Sequence, residues 1–196
     1  MMISSQPEII KVFQANHIAR EVTLQVNDEK EIKPLKEVVE SLSSYSTAQL
    51  SSKEIDYSRA LLQTETKEVG KQKVQIHRLS IPRGETFKVV LSEGTEVFLN
   101  SDSRLAYPTV FKGKERVVSL EGEAYFKVAK DAAHPFIVKS GNLQIRVLGT
   151  EFNVRSYSPT DVRVTLITGK VAVSDTCGVH SVEMVPGQSV QLSSDG

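Results

Sequence analysis

Glu121 and Glu123 lie two residues apart in Leu120-Glu121-Gly122-Glu123-Ala124-Tyr125. On a strand both carboxylates would share a face, the arrangement from which paired-carboxylate glycoside chemistry starts. That chemistry also needs one carboxylate desolvated, so that its pKa rises into the range of a general acid. Gly122 predicts a turn that breaks the alternation between the two. The four histidines, His17, His77, His134 and His180, are far apart and none has a motif partner, so no metal cage or nucleophile–base pair is expected. His134 precedes Pro135-Phe136 at a strand entrance and is expected to serve a turn. Cys177 is the one cysteine, which leaves no intrachain disulfide and no Cys-based cage. It sits beside Gly178 in an expected hairpin tip, without the flanking cations that activate a thiolate. Tyr125, Phe126, Phe136, Phe152 and Tyr157 offer either a platform for sugars or bases or a core. With no Trp and no net charge, the core is the expectation. The Gly corners feed strands rather than helix N-termini, so no phosphate cradle is expected. These residues assign no catalytic, cofactor-binding or metal site and no partner-binding residue, and the chain is read as a non-enzyme without a cofactor.

The composition narrows the class. The 196 residues suit one or two domains with a real core. Lys and Arg number 24, as do Asp and Glu, and residues 1–80 hold 11 of each sign, so neither half presents a basic arm or an acidic tail for nucleic acid or anionic lipid. The longest apolar runs, such as Val97-Phe98-Leu99 and Phe136-Ile137-Val138, are far shorter than the roughly 18 residues of a spanning helix. Residues 1–8 lack the basic and apolar regions of a secretory signal and are read as vector-derived or disordered.

Two elements are predicted ahead of residue 82. Leu35, Val38, Val39 and Leu42 fall at i, i+3, i+4 and i+7, one face of a short helix. Val22 to Ile32 reads as strand, Asn27-Asp28 turn, strand, a degenerate first coil that caps the stack. Ser41–Ser52 reads as a polar loop, and a soft boundary falls at 64–80. From residue 82 onward, β-branched and aromatic residues alternate with polar ones between Gly corners. Five units read as strand, tight turn, strand: Val89–Leu99, Val117–Val128, Ile145–Val154, Val162–Val173 and Val182–Leu192. Their glycines, Gly94, Gly122, Gly149, Gly169 and Gly187, are 28, 27, 20 and 18 residues apart. Units this short cannot bury their own apolar faces and must stack. The expected fold is all-β: stacked short strands with Gly corners, as a β-solenoid or a layered β-sandwich, with helix confined to the first 80 residues. Phe126, Val128, Phe136, Val138, Val147, Phe152 and Val154 are its expected core.

Four runs carry a family resemblance. They are Ile81-Pro82-Arg83-Gly84-Glu85 with Leu91 to Pro108, Arg116 to Val128, His134-Pro135-Phe136-Ile137-Val138, and Val147 to Val154. In this order and at these intervals they resemble the periplasmic domain of FecR-type anti-sigma factors, also called transmembrane sensors. The resemblance implies a single-pass inner-membrane protein of a Gram-negative cell, with a cytoplasmic sigma-binding region, this periplasmic domain, and a C-terminal domain that meets the signalling domain of a TonB-dependent outer-membrane transducer. It implies that residues 81–192 are the periplasmic FecR domain and that residues 9–80 are a leading segment. The chain is then a piece that does not itself span the membrane, and it reaches its sigma factor only through the cytoplasmic region. The motif residues read as architectural: Gly84, Gly94, Gly122 and Gly149 for corners, Asn100 and Asn153 for polar contacts, and the aromatics for the core. The alternative is a carbohydrate-binding or carbohydrate-active β-solenoid or jelly roll, which needs exposed aromatics beside a desolvated carboxylate pair.

Overall fold

The computed structural model describes residues 21–27, 32–42, 49–58, 74–158, 161–177 and 179–192. The elements run β1 (Thr23–Val26), β2 (Lys33–Pro34), α1 (Leu35–Leu42), β3 (Gln49–Leu50), β4 (Glu54–Asp56), β5 (Ile76–Ile81), β6 (Phe87–Val90), β7 (Glu96–Leu99) and β8 (Ser103–Pro108). They continue with β9 (Arg116–Lys127), β10 (Phe136–Ser140), β11 (Leu143–Val147), β12 (Glu151–Ser158), β13 (Asp161–Thr168), β14 (Val171–Asp175), β15 (Ser181–Met184) and β16 (Ser189–Leu192). The fold is all-β, as the alternation predicts, and the predicted helix forms at Leu35–Leu42 with Leu35 and Val38 buried.

Backbone hydrogen bonds set the strands in two layers. The first is ordered β2-β1-β5-β8-β9-β10-β11-β14-β15 and the second β3-β4-β6-β7-β9-β12-β13-β16. Only β9 stands in both. Its first residues pair antiparallel with β8 and parallel with β10, and its last pair antiparallel with β7 and β12. The chain winds from one layer to the other and back, so β10 meets β9, and β6 meets β4, in parallel after one full turn. Winding of this kind is the solenoid feature. The layers also face each other as in a sandwich: Phe126 of the second layer meets Phe136 of the first at 6.3 Å between ring centroids.

The structure corrects the repeat. Of the five predicted units only Val89–Leu99 is a paired hairpin, β6 with β7 about Gly94. At Gly149, Gly169 and Gly187 the chain does not fold back on itself but passes between layers, from β11 to β12, β13 to β14 and β15 to β16. Gly122 is not at a turn between strands at all; it lies inside the twelve-residue β9. Its φ of +92° bends the strand where it changes layers, and a Cβ there would fall 2.7 Å from the Ser103 Cα. The sequence signal is the same for a turn and a bend, because both need positive φ and close backbone approach.

The predicted first coil, Val22–Ile32, differs in its return: β1 pairs with β2 at the edge of the first layer, but β2 lies at Lys33–Pro34, beyond the expected strand, and Asn27, at φ 53°, directly follows β1. Residues 28–31 of its turn, residues 43–48 of the predicted loop and residues 64–73 of the predicted boundary lie outside the described residues. The two-residue β3 closes the loop region instead of coil. All seven expected core residues are buried, and Phe126 stacks on Phe152 with ring centroids 5.1 Å apart.

Replacing Phe126 or Phe152 by Ala is expected to cost roughly 3–5 kcal/mol in chemical denaturation; a loss under about 1 kcal/mol for both would place these rings in solvent. Gly122→Ala is expected to cost about 1–3 kcal/mol from backbone conformation alone, and more through the contact with Ser103. A neutral result would mean that β9 is not bent there.

Candidate functional site

The two glutamates flanking Gly122 are separated in role by the bend. Glu121 is exposed and pairs with Arg104 at 3.0 Å. The half-buried Glu123 accepts from Asn100 Nδ2 at 3.2 Å and Asn153 Nδ2 at 3.0 Å. Each carboxylate has its own donors, and the pair does not converge on a shared cleft. The asparagines expected to make polar contacts therefore meet on one carboxylate of β9, joining it to the segment after β7 and to β12.

The exposed histidines serve turns. His134 Nδ1 lies 2.8 Å from Asp131 Oδ2, and Asp131 also accepts from the Ala133 and His134 amides; the His134 side chain is the first cause holding the Asp131 carboxyl below its usual range. His180 pairs in the same way with Asp175 at 2.9 Å, in the β14–β15 turn that also carries the exposed Cys177. His17 lies outside the described residues. Among the described residues no three His, Cys, Asp or Glu side chains come together as a metal cage would require.

The aromatics divide. Phe126, Phe136 and Phe152 are core, whereas Tyr125 and Tyr157 face outward from the second layer. Tyr125 donates to Glu151 Oε2 at 2.8 Å and rests against Phe98, 40% exposed, at 5.9 Å. Tyr157 donates to the Ser101 carbonyl at 3.0 Å beneath the Arg155 guanidinium. Phe98 was legible by elimination: Val97 and Leu99 are buried, so the residue between them must face out.

The centre that single-residue reasoning misses is Arg116, which is 3% exposed. Its Nε donates to the His134 carbonyl at 2.8 Å; its Nη1 reaches the Ala129 carbonyl at 3.1 Å and Glu93 Oε1 at 3.3 Å; its guanidinium lies over Phe136 at 5.3 Å. The Arg116 amide also donates to the Pro135 carbonyl. Glu93 belongs to the Ser92-Glu93-Gly94 turn, Arg116 opens β9, and His134-Pro135-Phe136 leads into β10. Three of the four runs singled out in the sequence therefore close on one guanidinium. The fourth meets β9 further along, where the Thr150 carbonyl accepts from the Val128 amide and Glu151 accepts from Tyr125. The signal was the run order itself, since separated motifs that share no chemistry must share a packing site.

A second buried polar group ties the layers elsewhere. His77, fully buried, has Nδ1 2.8 Å from the Tyr57 hydroxyl, and the Tyr107 hydroxyl donates to Tyr57 at 3.1 Å. Burial lowers the imidazole pKa from 6.5 to about 4 and raises both phenols. In His77-Arg78-Leu79-Ser80-Ile81 the period of two already puts His77 on the face of Leu79 and Ile81.

Comparison with known proteins gives three findings. Residues 77–172 match the family model described as FecR protein. A solved structure of a candidate anti-sigma factor from Parabacteroides distasonis ATCC 8503 is similar at 33% identity, with a TM-score of 0.55 over 59% of this chain and 59% of that one. A second, of a protein described in the same words from the same organism, is similar at 34% identity, with a TM-score of 0.54 over 58% of each chain. This chain thus spans less than two thirds of either. A search of curated proteins gives no match.

Arg116→Ala is expected to lower stability by roughly 3–5 kcal/mol, because it strands Glu93 and two carbonyls. Adding Glu93→Gln should recover part of that loss in denaturant titrations. Equal losses in the single and double variants would show that the charge pair contributes nothing.

Proposed function

The chain belongs to the FecR family through residues 77–172, and on that premise we propose that it is the periplasmic part of an anti-sigma factor. In this reading it is held to the inner membrane of a Gram-negative cell by a single span outside the chain. A ligand-loaded TonB-dependent transducer engages the periplasmic side through its signalling domain, and the change passes through the span to an extracytoplasmic-function sigma factor. Residues 81–192 are the relay domain and residues 9–80 the leading segment. Among the described residues no helix is long and apolar enough to cross a membrane.

The observation that supports a relay is the convergence of the family runs on β9. A strand that is a member of both layers, clamped at one end by Arg116 and farther along by Glu123, ties the two layers through one backbone. Close packing transmits displacement rather than absorbing it. The carbohydrate reading draws on Phe98, Tyr125 and Tyr157, but the two hydroxyls are already committed to Glu151 and Ser101, and Glu121 and Glu123 go to separate partners.

Deletion of residues 82–192 from the full-length protein in its own cell is expected to uncouple sigma-dependent transcription from the inducer, leaving a reporter constantly on or constantly off. A deletion strain that still responds normally would remove the relay role from this domain.

A further inference from the structure

We propose that Tyr57, His77 and Tyr107 form an acid-released latch that holds the leading strands β3 and β4 against the FecR domain. Tyr57 directly follows β4, at the edge of the second layer, and lies outside the residues that match the family model. His77 and Tyr107 lie within the match, on β5 and β8 of the first layer, and are paired across the β5–β8 ladder. The Tyr57 ring therefore crosses from one layer to the other. Otherwise β4 is held by a three-residue parallel ladder to β6, flanked by the Lys88 amide on the Lys53 carbonyl and the Tyr57 amide on the Val90 carbonyl, by the two-residue β3, by the buried Ile55 and by the pair of Glu54 with Lys88 at 3.4 Å. Two short strands at the end of a layer belong to the low-stability end of local opening.

The hydrogen-bond chain works in one protonation state. Tyr107 donates to the Tyr57 oxygen, and the Tyr57 proton then goes to His77 Nδ1. The imidazole is left with its proton on Nε2, which is buried without a partner among the described residues. Protonating the ring makes Nδ1 a donor as well. The Tyr57 oxygen would then face two donors while its own proton loses its acceptor, and a cation would sit where no carboxylate among the described residues is bonded to it. The elements packed on His77 present Val26 from β1, Tyr107 from β8 and Tyr57 from the end of β4. The charged side chains of these elements are engaged elsewhere: Arg78 with the Asn27 carbonyl, Asp56 with the Ser58 amide, Glu54 with Lys88 and Arg104 with Glu121. Withdrawal of Tyr57 lets water reach the ring and relieves the conflict.

The sign comes from the lowered pKa. The latched imidazole binds its proton only near pH 4, the released one near 6.5. The latch is at full strength above pH 6.5 and weakens as pH falls below it, with the ratio of latched to released forms dropping by up to about tenfold per pH unit until the latched ring itself takes the proton. This input is independent of the relay reading, and its test reads structure rather than signalling.

The test is an NMR titration of the ¹⁵N-labelled chain from pH 7.5 to 4. The amides of Gln49, Leu50, Ile55 and Tyr57 are expected to pass to a released state between pH 6.5 and 4, while Phe126 and Val154 keep their shifts. In His77→Gln, whose amide oxygen accepts from Tyr57 but takes no proton, that transition should vanish. Should the variant not fold, the His77 ring-proton shifts of the native chain decide the matter. A ring pKa near 6.5, or loss of the β4 and β9 signals together as one unfolding event, would overturn the latch.

Discussion

Strand β9 has to satisfy a backbone constraint on which the rest of the fold depends: it must serve two layers without interrupting its hydrogen bonds. A straight strand cannot do so, and a turn would leave unpaired amides in the interior. The positive φ at Gly122 resolves the conflict, turning the strand within one residue while Ser103 closes over the spot that a side chain would fill. The Ser103 hydroxyl is also bonded to the Glu123 amide and lies 3.1 Å from the Glu123 carbonyl, so the groups exposed by the bend are paired locally. With β9 fixed, every strand before it falls on one side in both layers and every strand after it on the other.

The two layers are then held face to face by apolar packing and by a few buried polar ties. At β9, Phe126 stacks on Phe152 and meets Phe136 of the facing layer, and all three rings are fully buried. Arg116 adds direction rather than much net energy, since the desolvation of a buried ion pair largely offsets its attraction. Its value lies in specifying which turn meets which strand: Glu93 from one layer, and the Ala129 and His134 carbonyls from the segment returning to the other. The Tyr57, His77 and Tyr107 group plays the equivalent part at the other end of the fold.

Local patterns were legible in the sequence to the extent that local physics decides them. Period two placed Val138, Val147 and Val154 inward, and period 3.6 placed Leu35 and Val38 on one helix face. The Gly94 hairpin was legible because its strands are neighbours both in sequence and in space. The crossings at Gly149 and Gly169 were not, because a corner that reverses the chain and one that carries it to a facing layer use the same residue. Arg116 was invisible for a related reason. An arginine opening a strand reads as solvated, and only the joint placement of Glu93 and His134, far from it in sequence, buries it. His77 shared a face with Leu79 and Ile81, but its partner Tyr57 sits twenty residues upstream across a segment with no periodicity to follow.

The position of β9 also has a consequence for synthesis on the ribosome. The chain emerges from its N-terminus, so the upstream half of both layers, through β9, exists before the strands that flank β9 on its other side. Until Phe136 and Glu151 arrive to pair with Arg116 and Lys127, β9 has no downstream partner strand along its first half in one layer or its second half in the other. That interval is roughly 20–25 residues of elongation, or about one to five seconds at typical rates. An uncovered edge of that length is a template for another nascent chain. The alternation of Glu121, Glu123 and Lys127 with the buried positions keeps charge along it during that time, and Glu123, which later ties β9 to Asn100 and Asn153, is one of the residues that first keep neighbouring chains apart.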